Sequence, residues 1–216
     1  MSDGPATASP ASAAKPLPPS ASPRGDWLLV AMLIIAMLVT AVLFLHFAGR
    51  VWWCACRTPT PFSVHVWSSH NSQHLFDPYA FSHLLHGLIF FFAIRWLFPR
   101  LSFPWVLLLS LLIETGWEVL ENSPMVIDRY RAATASLGYS GDSIVNTLGD
   151  ILACAIGVWL ARAIGFRWSL ALFVLIELAM LALIRDNLTL NVIMLLTPVD
   201  AIREWQLQIA PATQPA

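Results

Sequence analysis

Residues 27–47 form an apolar run interrupted only by Thr40 and His46. As a helix rising about 1.5 Å per residue, this run is roughly 30 Å long, the thickness of the hydrocarbon core of a bilayer. Hydrocarbon offers no water to the backbone, so such a segment must satisfy its own N–H and C=O groups, and a helix does so within one segment. No A-x-A cleavage site follows the run, so it reads as a span and not as a removed signal peptide. Four further runs, 79–98, 101–120, 143–164 and 168–184, each carry a few polar residues in an otherwise apolar stretch. The expected fold is therefore an all-α membrane protein, a bundle of about five transmembrane helices. A short C-terminal segment, 188–199, is too short to span and is expected to lie at the interface.

Composition supports this reading. With 57% hydrophobic and 12% charged residues, the chain could not clothe a soluble surface. A single Lys and a net charge of −1 leave no basic patch to neutralise phosphates, which argues against nucleic acid as a partner and leaves the lipid bilayer. Residues 1–26, with six Pro, six Ala and five Ser, are too poor in large apolar side chains to fold and are expected to form a disordered tail. Residues 27–207 are expected to form one helical domain, and 208–216 a flexible C-terminal tail.

The turns at 99–100 and 165–167 are short enough to make their flanking helices antiparallel neighbours. Both long connections, 48–78 and 121–142, then fall on one face. Basic residues tie across the two faces: Lys15, Arg24, Arg95, Arg100, Arg162 and Arg167 against Arg50, Arg57, Arg129, Arg131, Arg185 and Arg203. The arginines are denser in the two short turns, which favours a cytoplasmic N-terminus and long loops outside.

An ionisable group inside a bilayer costs roughly 2.5–3.5 kcal/mol on insertion scales, so each one needs a partner or a role. His86, Glu114, Asp150 and Glu177 each lie seven residues from the long-loop end of their helix, about 10 Å deep. His83 and His86 are spaced i, i+3; Glu114, Glu118 and Glu121 i, i+4, i+7; Asp142, Asn146 and Asp150 i, i+4, i+8, so each set forms one stripe. Below the last stripe, Ala153 and Gly157 are small enough to admit a neighbouring backbone.

Carboxylates beside imidazoles are the materials of a metal centre or an acid–base pair. The candidate catalytic residues are Glu114, Glu118, Asp142, Asn146 and Asp150, and the candidate metal ligands are His83 and His86, with His70 and His74 above them. Imidazole with carboxylate suits a divalent transition metal. Cys54 and Cys56 can ligate metal, become oxidised, or be two small interfacial residues. Arg129 and Arg131 can hold an anionic group as substrate-binding residues or pair with nearby acids. The favoured activity is a hydrolase or transferase acting on a lipid-linked or anionic envelope substrate. An ion- or proton-coupled carrier and a structural assembly factor, in which the same stripes relay protons or glue helices, remain open at this point.

Several stretches carry a resemblance: Trp53-Cys54-Ala55-Cys56, Ser69-His70-Asn71-Ser72-Gln73-His74-Leu75 with Asp77-Pro78-Tyr79, Glu121-Asn122-Ser123-Pro124, Arg129-Tyr130-Arg131, Tyr139-Ser140-Gly141-Asp142-Ser143-Ile144-Val145-Asn146, and Arg185-Asp186-Asn187-Leu188-Thr189-Leu190-Asn191. Across roughly residues 27–207 the chain resembles an uncharacterised bacterial membrane-protein family of the domain-of-unknown-function kind. That resemblance implies a multi-pass fold in the bacterial plasma (inner) membrane and carries no activity with it. A weaker likeness to VanZ-like membrane proteins rests on Asp142, Asn146 and Gly149, and keeps a cell-envelope role in view.

Overall fold

The computed structural model describes residues 23–136 and 138–210. The expected tail up to residue 22 and residues 211–216 lie outside them. Among the described residues seven helices follow in order: α1 (Pro23–Phe47), α2 (Ala80–Leu97), α3 (Phe103–Glu121), α4 (Pro124–Ala133), α5 (Ile144–Ile184), α6 (Leu188–Leu196) and α7 (Asp200–Leu207). Among the described residues the only β pairing is an isolated bridge between Phe62 and Phe76.

Four of these helices, α1, α2, α3 and α5, are long and apolar enough to cross a membrane by length and composition. At 41 residues α5 would be about 60 Å long if straight, twice a hydrocarbon core. It is not continuous: Gly165 has φ 74° and ψ 175°, a conformation in which a Cβ would be strained. The packing partners show what happens there. Along the first arm Gly149 abuts Leu75 and Gly157 abuts Leu84, so this arm runs parallel to α2. Along the second arm Met180 meets Ser82, and Asp186, just past the helix, meets Tyr79, so the chain has reversed. Ala161 and Leu172 from the two arms join Leu85 and Leu88 of α2 in one apolar cluster. The bundle is thus traversed five times, and the turn expected at 165–167 is the one Gly165 makes.

The two ends of the bundle differ in chemistry. At one end, the start of α1 meets the start of α3: Trp27 packs on Phe103 and Trp159, and the Arg162 guanidinium lies 4.0 Å over the Phe103 ring. Such a girdle of Trp, Phe and Arg suits a membrane interface. At the opposite end lie the long connections, α4, α6 and α7. Between the ends, Leu28, Met32, Ile35, Val39 and Leu43 of α1 are exposed, an apolar surface that water would not tolerate and lipid would.

The long-loop end carries two helices beyond those expected, α4 and α7. The first lies within the long connection expected at 121–142, where Pro124 stands just past the end of α3. Pro124 also begins α4: it stands at the first helical position, where its missing N–H costs nothing, and the Ser123 hydroxyl accepts from the Val126 N–H. The stretch 188–199 holds the short helix expected there, α6, and α7 follows beyond it. Thr197 is extended ahead of Pro198, whose ring disfavours a helical predecessor, so α6 stops at Leu196 and α7 starts at Asp200. Ser143 caps α5 as its position suggests, accepting from the Asn146 N–H at 3.1 Å.

Candidate functional site

The polar stripes of α2, α3 and α5 converge. The His83 Nδ1 lies 2.5 Å from Glu114 Oε1 and 3.1 Å from Glu118 Oε1, and His86 Nδ1 lies 3.0 Å from Glu114 Oε2. Glu114 and Glu118 are wholly buried, and Asn146 and Asp150 nearly so. Three helices supply these groups because α2, α3 and α5 each pack against the other two, and the stripes face that common contact. His83, His86 and Glu114 could together hold a metal ion, as could His83, Glu118 and Glu121. Glu121 completes the stripe on α3 and was not among the expected site residues.

Above the histidines is a cavity of about 80 Å³, lined on its polar side by His83, His86, Glu121, Asp142 and Asp150. That is room for several water molecules or a small ligand group. Its mouth carries Tyr79, Tyr130 and Tyr139 together with Leu188, Val192 and Leu195 of α6. Sequence alone did not single out these tyrosines, because Tyr130 on α4 and Tyr139 in the loop after it reach the cavity only through the path of the 121–142 connection. Asn71 and Ser72 from the first long connection also line the cavity.

Five residues buried near this chemistry carry an oxygen or nitrogen that makes no hydrogen bond: Glu118, whose Oε1 is in the ion pair with His83 while its Oε2 meets nothing, Asp150 at Oδ1, Asn146 at both amide atoms, and Thr115 and Thr147 at their hydroxyls. Asp142 behaves differently. It is held by Asn122 Nδ2 at 2.8 Å and Tyr139 OH at 3.0 Å, and its own N–H donates to Asn122 Oδ1. Burial pushes its carboxyl above the usual range, against those hydrogen bonds. Its geometry is that of a strut between α3 and α5, although it also borders the cavity.

The arginines are committed elsewhere. Arg129 donates from Nε to the Leu195 carbonyl at 2.8 Å, and from Nη2 to that of Leu196, capping α6. Arg131 donates to the Tyr139 carbonyl and lies 3.6 Å from Asp128. Neither lines the cavity. Glu177, expected at the level of the polar site, caps α6 from the other end, accepting from the N–H groups of Leu188 and Thr189 at 3.0 and 3.1 Å.

His70 and His74 do not join His83 and His86. They meet Cys54 and Cys56 in a separate cluster in the first long connection. Cys54 and His74 are buried while Cys56 is exposed, and all three cysteines are free thiols. The hydrogen bond with Cys54 lowers the pKa of the Cys56 thiol to about 6.

Fold and site together define an all-α membrane protein with a buried histidine–carboxylate cavity near one end of its bundle. The chain belongs to the family described as "Protein of unknown function (DUF2585)", which matches residues 45–208. It is 44% identical over 184 residues to a UPF0314 protein of Sphingopyxis alaskensis, covering 85% of this chain and 95% of that relative. It is 45% identical over 182 residues to the UPF0314 protein R03235 of Rhizobium meliloti, covering 83% and 90%. A UPF0314 protein of Paracoccus denitrificans is 44% identical over 170 residues, 79% of this chain and 88% of the relative. No solved structure matches.

Proposed function

We propose that this protein is a metal-dependent hydrolase or transferase of the bacterial plasma membrane, acting at its outer face on a lipid-linked or anionic envelope substrate. The observation that carries the proposal is the pair of buried carboxylate oxygens that meet no partner, Glu118 Oε2 and Asp150 Oδ1, beside imidazoles that Glu114 and Glu118 hold. Residues that only glued helices together would satisfy one another, since an unmet buried polar group costs roughly 1–3 kcal/mol. Imidazole with carboxylate fits Zn, Mn or Fe, and His83, His86 and Glu114 would hold the ion. A bound metal would acidify water and polarise a phosphoryl or carbonyl oxygen. Around it, Glu118 or Asp150 would take the proton from water, and Tyr79, Tyr130 and Tyr139 would orient the substrate headgroup at the mouth. The apolar rim of Leu188, Val192 and Leu195 suits the lipid portion.

Two experiments follow. In a deletion strain with a measurable envelope phenotype, Glu118→Gln and Asp150→Asn are expected to accumulate as folded protein to wild-type levels yet fail to complement. Lipid extracts from these strains should share an accumulated lipid-linked species with the deletion. Normal complementation by both variants would refute the enzyme reading. The orientation is tested by reporter fusions: Ser72 and Ala135 should report outside the cytoplasm and Arg100 inside. Ser72 and Ala135 on opposite sides would overturn the arrangement of spans, and a uniform inversion would overturn the orientation alone.

A further inference from the structure

Cys54, Cys56, His70 and His74 lie in the connection before α2 and belong to none of the helices that carry the cavity. We propose that these four residues form a closed, structural zinc site, independent of the metal in the cavity.

The argument rests on geometry. Zinc in a tetrahedral site lies about 2.0–2.1 Å from nitrogen and about 2.3 Å from sulfur, so its ligands stand roughly 3.3–3.8 Å from one another. Here His70 Nδ1 and His74 Nε2 are 3.3 Å apart, Cys54 Sγ and His70 Nδ1 3.3 Å, and Cys56 Sγ and His74 Nε2 3.7 Å. All four donor atoms lie within 4.8 Å of one another.

The orientation of His74 adds an independent observation. Its Nδ1 is 2.7 Å from the Thr60 carbonyl, an acceptor only, so that nitrogen carries the proton. Nε2 therefore presents a bare lone pair to the cluster. An imidazole bound to metal through one nitrogen and donating to a carbonyl through the other is the usual outer-shell arrangement. The His74 ring is further fixed edge-on by Trp53, at 5.4 Å between centroids.

Two thiolates and two imidazoles in a tetrahedral set select zinc over harder cations, and four protein ligands leave no open position for substrate. The role is therefore to hold shape. Cys54 and Cys56 sit on one turn, His70 and His74 on another, and the Cys54 N–H donates to the Gln73 carbonyl at 3.0 Å. The second turn is attached to the start of α5: the Ser143 N–H donates to the Ser72 carbonyl at 2.9 Å, and Gln73 Nε2 to that of Gly141 at 2.8 Å. Asn71 and Ser72, between the two histidine ligands, line the cavity. Zinc at this cluster would clamp the roof of the cavity to the bundle.

The test is elemental analysis of the full chain, purified in detergent without chelator, together with Co²⁺ exchange. Wild type, Cys154→Ser and the double variant His83→Asn/His86→Asn should all retain one zinc ion that Cys54→Ser and His74→Gln lose. Co²⁺-exchanged wild type should show tetrahedral ligand-field bands and thiolate charge transfer that Cys54→Ser lacks. Should the ligand variants fail to fold, the wild type still decides: a mercurial thiol reagent added to folded protein should release its zinc to a chromogenic indicator. Protein without zinc, whether its Cys54 and Cys56 are free to alkylation or joined in a disulfide, would overturn the proposal. So would copper or iron in this cluster, or a zinc content that Cys54→Ser leaves unchanged from wild type.

Discussion

Gly87→Val should abolish the folded bundle, while Gly116→Val should leave it nearly untouched. A Cβ at Gly87 would overlap the Cys154 carbonyl and stand 2.8 Å from Val158 N and 2.9 Å from Gly157 Cα. All three obstacles are backbone of the first arm of α5, so no side-chain rotation relieves the overlap. The helices would have to separate, pulling Leu85 and Leu88 away from Ala161 and moving His83 off Glu114. Overpacking a core costs typically about 1–3 kcal/mol, and a clash between two backbones belongs at or beyond the upper end of that range. At Gly116 an added Cβ meets nothing within 4 Å. Detergent gel filtration and thermal melting of the two variants measure the difference. Gly87→Val should be aggregated or absent and Gly116→Val monodisperse; equal behaviour would refute the close α2–α5 crossing.

Much of this crossing and of the cavity could be read from sequence, because both depend on short-range periodicity. The i, i+3 pair His83 and His86 and the i, i+4 pair Glu114 and Glu118 mark single helix faces. Two faces that each carry buried charge have little choice but to meet. Gly157 likewise announced a close approach, and it receives the backbone of Leu84 and Gly87. What escaped was set by contacts between distant segments. The groups that Arg129 and Arg131 bind depend on where α6 ends and on the path before Asp142, and backbone carbonyls leave no trace in residue identity. Glu177 has the depth of a site residue, but the N-terminus of α6 returns to claim it. The cysteine–histidine cluster joins two turns about sixteen residues apart through an irregular loop, for which no periodicity exists. α4 was hidden because Pro124 signals both the end of one helix and the start of another.

The second large effect is expected at the cavity itself. His83 and His86 supply its nitrogen donors, and Glu114 bridges them. The double variant His83→Asn/His86→Asn keeps polar side chains of smaller size in place and removes both imidazoles, so it should lose the cavity metal and all complementation while remaining folded. The bundle should survive because its apolar contacts along α2, Leu85 and Leu88 against Ala161, are unaltered. Metal in the loop cluster is counted separately by Cys54→Ser, which should remove zinc and leave the cavity ion in place. Elemental analysis of the purified wild type beside these two variants is therefore the most direct measurement. The account predicts two metal ions per wild-type chain, one lost with the histidine pair and the other with Cys54. A wild-type protein whose metal content is unchanged by His83→Asn/His86→Asn, in preparations of equal folded yield, would contradict it.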